Sequence, residues 1–476
     1  MQLACHAPLS PRATRPKFEN VHKSRGGVRE NFRGKFQIPV VLSAPIRRRS
    51  LKREIMRFVA QFQSVSQSGC RTLSRHSGTN CLQLQRTQSS VAMAAAFQSG
   101  GDGSWTEAKN YDSWFSSLTS EFEKKSWRSL ITCEEREDGN IVMSSSGNGQ
   151  SFLAGRFRTP SLAELRVEVA ELVQADPATL TEIGVLGTRP TLTNILGDAG
   201  SLHALSENIH ASFQAASQFN CLEFPSQNNL PEDGVTNYRY DKTQGPCCAI
   251  SCGPGTIYRN YFCQVPGKAE PGQSSEHQLE NLRDLSENIG NTHGRYFRVQ
   301  NGYTLANSEG LTRMNEQLDA MSEARRDEAR SLLRVGLQED TQVTSRDWGK
   351  YQLRDQSHLV TQIYGSACSV AYSRNSPDMW ASFASLVLEA SYEATVLAAV
   401  LNAHRHRGTQ GSKKLFLTAL GGGVFGNDMH WIASAIERAV GILGGMNLGL
   451  EIYVVTYGGP YGGVIPFEFR DLSQAT

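Results

Sequence analysis

The sequence predicts an α/β fold in which a mixed or parallel sheet is flanked by helices on both faces. The main evidence is that strand and helix patterns alternate toward the C-terminus. Apolar runs at 415–420 and 450–456 are typical of buried strands, and they enclose a helix predicted over 428–443. A long alanine-rich helix is predicted over 380–403. Because each connecting helix packs on one face of the sheet, this order favours parallel strands between two helical layers.

The composition is that of a globular protein. The chain has 476 residues, of which 39% are hydrophobic and 20% are charged, enough for one large or two medium domains. Residues 1–90 are rich in Lys and Arg and contain only three acidic side chains, although the whole chain carries a formal charge of only +2. The remainder is therefore acidic overall. Since phosphate neutralisation needs clustered Lys and Arg, we expect no nucleic-acid partner.

The basic leader resembles an organellar transit segment. It includes IRRRSLKR at 46–53, contains many Ser and Gln residues, and is poor in acids. A disordered basic arm and an upstream extension of a chain that starts at Met93 are the alternatives. We therefore predict a leader at 1–92, a folded domain at 105–476, and an intracellular location in the cytosol, chloroplast or mitochondrion. No run of 18 apolar residues occurs, so we expect neither a transmembrane helix nor a membrane partner.

The ten cysteines do not form a pattern typical of a disulfide framework or a zinc site. None belongs to a CxxC pair, and the cysteines at 247, 248, 252 and 263 lack the paired spacing of zinc knuckles. The pattern predicts reduced thiols in an intracellular compartment. We expect no metal and no cofactor.

The earlier elements follow from local patterns. Ser161 and Glu164 fit a capping box, and apolar residues at helical spacing follow them, which predicts a core-facing helix over 161–174. Small and apolar residues predict strands at 211–218 and 358–373.

Composition alone indicates the character of four further regions. Residues 105–190 are expected to be an N-terminal elaboration of the domain, and the polar segment 265–292 a surface insertion. Acid–base pairs at helical spacing over 309–334 are typical of a solvated helix. The segment at 245–262 divides into apolar pieces at Gly and Pro residues, which could bring backbone close to a ligand.

A glycine-rich loop lies between the predicted strand at 415–420 and the next helix. The sequence TALGGGVFGND at 418–428 contains Gly421, Gly422, Gly423 and Gly426. Without Cβ atoms, such a loop can turn its N–H groups toward a ligand, and the helix N-terminus adds positive partial charge. A phosphate or diphosphate is the expected ligand. The alternative is a tight turn in which Asn427 or Asp428 caps the helix.

Two common nucleotide-binding motifs do not fit this loop. A P-loop is excluded because no Gly-Lys-Ser/Thr sequence follows. The letters GGGVFG match the GxGxxG motif of dinucleotide-binding domains. In that motif an acidic residue ends the next strand, whereas Glu451 begins the strand here, and little chain remains after it. An NAD-dependent oxidoreductase is therefore the least favoured function.

The glycine-rich loop and its helix, LTALGGGVFGNDMHWIASAIERA at 417–439, resemble the second ligand loop of the macrodomain superfamily, which binds ADP-ribose. NILGDAG at 194–200 is similar to the Gly-Asp that places an Asp near the adenine in that fold. FQAASQFNCLEF at 213–224 corresponds to the strand that leads into its ribose-side loop.

Two further segments narrow this resemblance. PEDGVTNYRYDKTQGP at 231–246 and GTIYRNYF at 255–262 are similar to the branch that contains the bacterial effector MavL, which removes ADP-ribose from modified ubiquitin. The similar blocks occur in the same order over 152–467. The resemblance implies a macrodomain-like fold. The paired Glu residues of the poly(ADP-ribose) glycohydrolases have no equivalent, so it also implies removal of a single ADP-ribose.

The resemblance assigns roles to particular residues. Asp241 and Asp233 are the implied catalytic carboxylates, and Asp241 is favoured over Asp233. The alternative is that both are ordinary turn residues. Glu223 is a third carboxylate of interest. The implied ADP-ribose-binding residues are, for the adenine, Asp198, which is alternatively a turn residue; for the ribose, Gln218 and Asn220; and for the diphosphate, Gly421, Gly422, Gly423, Val424, Phe425, Gly426 and Asn427.

The predicted function is hydrolysis of the bond that joins a single ADP-ribose to a protein side chain, with arginine as the linkage that the resemblance suggests. The partners would be an ADP-ribosylated protein, for which ubiquitin is a candidate, and ADP-ribose itself as ligand and product. The alternative is a reader that binds ADP-ribose without cleaving it.

Overall fold

The computed structural model describes residues 105–107, 114–123 and 127–457. The predicted leader at 1–92 and the alternative start at Met93 lie outside these residues, as does the end of the predicted domain at 458–476.

The main sheet has nine strands in the order β2-β3-β4-β9-β12-β6-β13-β14-β5. The described strands are β1 (Trp105–Glu107), β2 (Ile131–Glu135), β3 (Ile141–Ser145), β4 (Gln150–Arg158), β5 (Thr191–Leu196), β6 (Ser212–Ala216), β7 (Arg298–Gln300), β8 (Tyr303–Leu305), β9 (Gly336–Gln342), β10 (Ser345–Arg346), β11 (Tyr351–Leu353), β12 (Leu359–Gly365), β13 (Lys414–Leu417) and β14 (Glu451–Thr456). Strands β12, β6, β13, β14 and β5 are parallel to one another, whereas β2, β3, β4 and β9 pair antiparallel. The predicted mixed sheet is confirmed.

The described helices are α1 (Trp114–Thr119), α2 (Leu162–Ala175), α3 (Pro177–Glu182), α4 (Ala199–His203), α5 (Gln244–Ser251), α6 (Gly253–Tyr261), α7 (Arg283–Asn288), α8 (Ser308–Asp319), α9 (Glu323–Ser331), α10 (Ala381–Arg405) and α11 (Met429–Gly445). Helix α2 begins at the predicted capping box: the Ser161 hydroxyl accepts from the Glu164 N–H, and the Glu164 carboxylate accepts from the Ser161 N–H. This reciprocal pair explains why the helix begins where the sequence predicts.

Helices cover both faces of the sheet, as predicted. Successive side chains of a strand point to opposite faces. Leu415 and Leu417 of β13 pack in the core that contains buried residues of α2, α10 and α11. Phe416 packs on the other face with Phe213 of β6 and Leu202 of α4. Because alternate side chains of β13 pack in two different cores, helices lie on both faces of the same sheet.

Three predictions of local structure need correction. The strand predicted over 358–373 ends at Gly365, where the chain leaves the sheet. The helix predicted over 309–334 is two helices, because Ser322 caps α9 by accepting from the Arg325 N–H. The interrupted segment 245–262 forms α5 and α6, which meet at Cys252 with Pro254 in the first turn of α6. Proline is tolerated there because the first N–H groups of a helix lack internal partners.

The charges of α9 are not solvated as a group. Arg166 of α2 donates two hydrogen bonds of 2.9 Å to Asp327 and one of 2.5 Å to Glu393. Glu393 of α10 also accepts from Arg438 of α11 at 2.6 Å. Burial raises the pKa of Glu393, but the charges of Arg166 and Arg438 outweigh it, so the net shift is downward. This buried ion-pair cluster joins α2, α9, α10 and α11.

Two segments have burial that their composition does not indicate. The polar stretch 265–292 contributes five core side chains: Val265, Leu279, Leu282, Leu285 and Ile289. The segment Pro377–Arg405 is long and apolar enough to cross a membrane, but 83% of its apolar 18-residue stretch is buried within the protein. Both segments therefore pack as parts of the globular core.

Candidate functional site

A cavity of about 290 Å³ lies at the carboxyl ends of the parallel strands. In open α/β sheets this edge is where ligands commonly bind, because the loops that follow the strands converge there. The cavity is lined by Gly197, Asp198 and Ala199 after β5, by Thr418, Ala419, Gly422 and Gly423 after β13, by Met429, and by Val455, Thr456 and Tyr457 at the end of β14. Lys242, Thr243, Gln244, Cys247 and Trp348 complete the lining.

The glycine-rich loop has a backbone that only glycine adopts easily at two positions. Gly421 and Gly426 have φ angles of +74° and +73°, values at which a Cβ atom is strained. A Cβ at Gly421 would also lie 2.5 Å from the Cβ of Ala367. By contrast, a Cβ at Gly423 would meet no atom of the described residues within 4 Å. Glycine is thus required for the turn at Gly421 and Gly426, whereas a side chain would fit at Gly423.

Three consecutive N–H groups of this loop form no hydrogen bond to the described residues. The Gly426 N–H donates to the Gly423 carbonyl at 3.0 Å, which closes a tight turn. Among the described residues, the N–H groups of Gly423, Val424 and Phe425 donate to no protein acceptor. Successive free N–H groups in a turn form a concave anion-binding surface. The loop is therefore both a tight turn and a potential phosphate site.

The two ends of the loop are held by its own side chains. Asn427 is buried, and its Nδ2 donates to the carbonyls of Cys368 at 2.7 Å and Gly421 at 3.3 Å. Asp428 caps α11 by accepting from the His430 N–H at 2.7 Å. The predicted role of Asn427 as a ligand residue is thus accompanied by a clear structural one, and the cap is Asp428.

Phe425 belongs to an aromatic cluster formed with Tyr303 and Tyr372. Its ring centroid lies 5.2 Å from that of Tyr303 and 5.6 Å from that of Tyr372. Only 8% of Phe425 is exposed, whereas Val424 beside it is 61% exposed. Phe425 is therefore packed beside the loop, and the side chain that projects from the loop into solvent is Val424.

Asp198 lies in the cavity and also caps a helix. One carboxylate oxygen accepts from the Ser201 N–H at 2.9 Å, which begins α4. The other oxygen lies 3.8 Å from the Cys247 sulfur. Both interpretations made from the sequence are therefore compatible, because the second oxygen has no strong protein donor among the described residues.

Gln218 and Asn220 are not brought to the cavity. Gln218 exchanges two hydrogen bonds with the backbone of Phe224, at 3.0 and 3.1 Å. Asn220 accepts from the Leu222 N–H and donates to Gln278. Both side chains are buried. Their amides shape the loop after β6, so the predicted ribose contacts would require these bonds to open.

The two candidate catalytic aspartates have different surroundings. Asp233 is exposed, and its carboxylate accepts from the Leu230 N–H and the Asn229 amide, as a turn residue does. Asp241 follows the 3₁₀-helix Val235–Tyr240 and accepts from the Thr243 N–H at 3.1 Å. The chain that continues from Asp241 forms one wall of the cavity.

Asp241 also lies close to the aromatic cluster. Burial raises the pKa of Tyr372, and the negative charge of Asp241 contributes to the same shift. The pKa of Tyr303 is raised by burial, then by Tyr372 and Asp241. Asp241 is thus within electrostatic range of Tyr303 and Tyr372, and the next residue, Lys242, lines the cavity.

Two cavity residues were not recognised from the sequence. The Lys242 ammonium lies 4.0 Å from the centroid of the Trp348 ring. Trp348 has a left-handed backbone with φ of +57°. Together they offer a flat apolar face and a positive charge, which suit a base and a phosphate. Lys242 follows Asp241 directly and could have been considered, whereas the turn residue Trp348 had no recognisable signal.

Glu223 is buried behind the cavity wall. Its carboxylate lies 3.5 Å from the Arg259 guanidinium, and both side chains are fully buried. Burial raises the pKa of Glu223 to about 7, although Arg259 opposes the shift. A Cβ at Gly245 would lie 3.1 Å from the Glu223 side chain. Glu223 thus supports the segment that follows Gln244 and does not line the cavity.

One group in the described part of the chain has the composition of a metal site. Ligand atoms of His210, Asp340 and His406 lie within 4.8 Å of one another. His406 and Asp340 share a 2.7 Å hydrogen bond, and the two imidazole rings stack at 4.0 Å. His210 precedes β6, so the group lies at the sheet edge opposite the cavity, where His210 stacks on the hydrogen-bonded pair of His406 and Asp340.

No family model and no curated protein matches this chain. Solved structures similar to it include the poly(ADP-ribose) glycohydrolase of Thermomonospora curvata, with 14% identity over 68% of this chain and 90% of that chain, and a TM-score of 0.31. Another is the poly(ADP-ribose) glycohydrolase of Deinococcus radiodurans in complex with ADP-ribose, with 13% identity over 64% and 88% of the two chains, and a TM-score of 0.32. Similarity at this level does not assign the chain to a family.

Proposed function

We propose that this protein binds ADP-ribose in the cavity and hydrolyses the bond that joins a single ADP-ribose to a protein side chain. The observation that carries the proposal is the convergence of Asp198 and the glycine-rich loop on one cavity. These features are more than 200 residues apart in sequence. The resemblance to macrodomains assigns both of them to the same ligand.

Each part of ADP-ribose has a suitable environment along this edge. The adenine would lie against the Trp348 ring, with its amino group donating to the Asp198 oxygen that faces Cys247. The diphosphate would accept from the N–H groups of Gly423 and Val424, and Lys242 would add a positive charge. The second ribose would then lie past the loop, toward Asp241.

The reaction needs few groups from the protein. Water attacks the anomeric carbon of the second ribose while the bond from that carbon to the side-chain nitrogen breaks, and the departing nitrogen takes up a proton. Positive charge develops on the ribose in the transition state. The Asp241 carboxylate would stabilise that charge and orient the water. Asp233, whose carboxylate is held in a turn, would contribute little.

The chemical linkage and the substrate are inferred from the segments similar to the MavL branch. They favour an arginine linkage and a modified protein such as ubiquitin as substrate. The poly(ADP-ribose) glycohydrolases among the similar structures cleave a related bond, as their name states, and a polymer is therefore a substrate to be compared directly.

A reader of ADP-ribose is the second candidate. One observation favours it, because the Asp241 carboxylate accepts from Thr243 and is not among the groups that line the cavity. A protein with this arrangement could bind the ligand without cleaving the bond to its carrier.

The test is to incubate the full chain with a protein that carries one ADP-ribose on arginine and to measure released ADP-ribose by chromatography. Binding of free ADP-ribose is measured in parallel by calorimetry. Release with binding supports the hydrolase, and binding without release supports the reader. Absence of both, or cleavage of an ADP-ribose polymer alone, contradicts the proposal.

A further inference from the structure

A second cavity, of about 500 Å³, lies between the β7–β8 hairpin and the segment that follows β12. Its lining includes Arg295, Arg298 and Arg374, together with Gln227, Asn307 and Tyr372, and none of the described residues that line it is acidic. We call it the arginine cleft. The chain outside the leader is acidic overall, so three arginines around one cleft form a local region of opposite charge.

The positive charge of the arginine cleft is not neutralised by the described residues. None of its three guanidinium groups forms an ion pair or side-chain hydrogen bond within that part of the chain. By contrast, the buried Arg166 and Arg330 are each paired with two carboxylates at 2.9 Å or less. An unpaired guanidinium presents a planar set of donors that matches a carboxylate.

Tyr372 connects the arginine cleft to the proposed reaction site. Its ring packs against Phe425 of the glycine-rich loop at 5.6 Å, and it also lines the cleft. The segment after Tyr372 is held in place, because Ser373 accepts from the Ala306 N–H at 2.9 Å and Asn375 donates to the Ala306 carbonyl at 2.9 Å. The cleft is therefore held in a fixed position, and the Tyr372 side chain lies between it and the glycine-rich loop.

We propose that the arginine cleft binds an acidic stretch of the ADP-ribosylated protein next to the modified residue. The inference rests on the proposed function, which orients the second ribose and its attached polypeptide past Phe425. A polypeptide leaving that point meets the cleft next. Asp and Glu side chains would accept from the guanidinium groups, and the net negative charge of the rest of the domain would disfavour other positions.

A chain of ADP-ribose units is the competing occupant, since its phosphates are also anionic. The peptide is favoured because the proposed reaction removes a single ADP-ribose, and the group beyond the second ribose is then the carrier protein. If the cleft binds acidic polypeptide, an unmodified acidic peptide should bind to it. If the cleft binds only the phosphates of an ADP-ribose chain, such a peptide should not bind, because it contains no phosphate.

The experiment uses the full chain and two peptides, each with one ADP-ribosylated arginine, flanked in one by Asp and Glu and in the other by Asn and Gln. We expect kcat/KM, or the affinity if the protein is a reader, to be about three- to tenfold higher for the acidic peptide, the range for a few exposed ion pairs. Arg298→Glu should abolish this preference. The matched control is Arg189→Glu, an exposed arginine just before β5 at the opposite sheet edge, which should leave the preference intact.

Two further measurements separate the cleft from the cavity. Free ADP-ribose should bind equally to the wild type, Arg298→Glu and Arg189→Glu, because the cleft is outside the cavity. An unmodified acidic peptide, followed by fluorescence anisotropy, should bind weakly to the wild type and not to Arg298→Glu. If the wild type does not bind ADP-ribose, the proposed function is contradicted. Binding of the unmodified acidic peptide tests the cleft independently of that result.

Two outcomes would overturn the inference about the cleft. One is equal activity and affinity toward the acidic and neutral peptides. The other is binding of an ADP-ribose oligomer that depends on Arg298 when the unmodified acidic peptide does not bind, which would assign the cleft to a polymer.

Discussion

Lys242 places its ammonium group 4.0 Å from the centre of the Trp348 ring, and both side chains line the cavity at the carboxyl edge of the sheet. Lys242 comes from the segment after Asp241, and Trp348 from the turn between β10 and β11. Their contact joins a positive charge to a flat apolar surface, which are the two features needed by a phosphate and a base.

Trp348→Ala is expected to weaken ADP-ribose binding roughly tenfold or more, because stacking of a base on an aromatic ring contributes about 1–3 kcal/mol. Calorimetry measures the change. Trp348→Phe keeps a ring at the same position and should recover most of the affinity. If Ala and Phe bind equally well, Trp348 is not the platform for the base.

Asp241→Asn is expected to lower kcat for release of ADP-ribose by about a hundredfold or more, the usual contribution of a group that assists proton transfer or charge stabilisation. The affinity for ADP-ribose should change little. Asp233→Asn is the matched control, because this aspartate is exposed and held in the Leu230 turn. A kcat that falls with Asp233→Asn and not with Asp241→Asn would reverse the assignment.

Arg166→Met should lower the free energy of unfolding by about 3–5 kcal/mol, because it leaves the carboxylates of Asp327 and Glu393 buried without their main partner. Urea unfolding followed by circular dichroism gives the value. Arg325→Ala removes an exposed pair with Glu328 and should change stability by less than about 1 kcal/mol. Equal effects of the two variants would show that burial of the cluster is unimportant.

The pKa of Glu223, raised to about 7 by burial, predicts a pH dependence of stability. In the folded state Glu223 keeps its proton until the pH approaches 7. In the unfolded state the same carboxyl group releases its proton near its ordinary pKa of 4.5. The stability contributed by this proton is therefore present below pH 4.5 and is lost as the pH rises through 7. The wild type should lose up to about 3 kcal/mol over this interval relative to Glu223→Gln.

Unfolding of both proteins at several pH values between 4 and 8 measures the difference, and other titrating groups cancel because they are common to both. The prediction concerns the slope against pH, so a general loss of stability in Glu223→Gln does not affect it. Parallel curves would mean that Glu223 is ionised throughout.

The sequence was sufficient where local rules decide the structure. The capping box at Ser161, the alternation of strands and helices, and the glycines before α11 each depend on a few adjacent residues. It was insufficient where distant residues meet. Asn220 donates to Gln278, 58 residues further along the chain. Asp327 is buried because it pairs with Arg166 of another helix. Trp348 meets Lys242 in the cavity only through the tertiary fold.

The most direct test of the central claim is a calorimetric titration of the full chain with ADP-ribose, repeated with Gly423→Glu and Gly441→Glu. Neither glycine has a positive φ, and a Cβ at either position meets no atom within 4 Å in the described part of the chain, so both variants should fold. Only the first places a negative charge beside the free N–H groups of the glycine-rich loop. We predict micromolar binding by the wild type and Gly441→Glu and its loss in Gly423→Glu. Equal binding by all three proteins, or no binding by the wild type, would contradict the account.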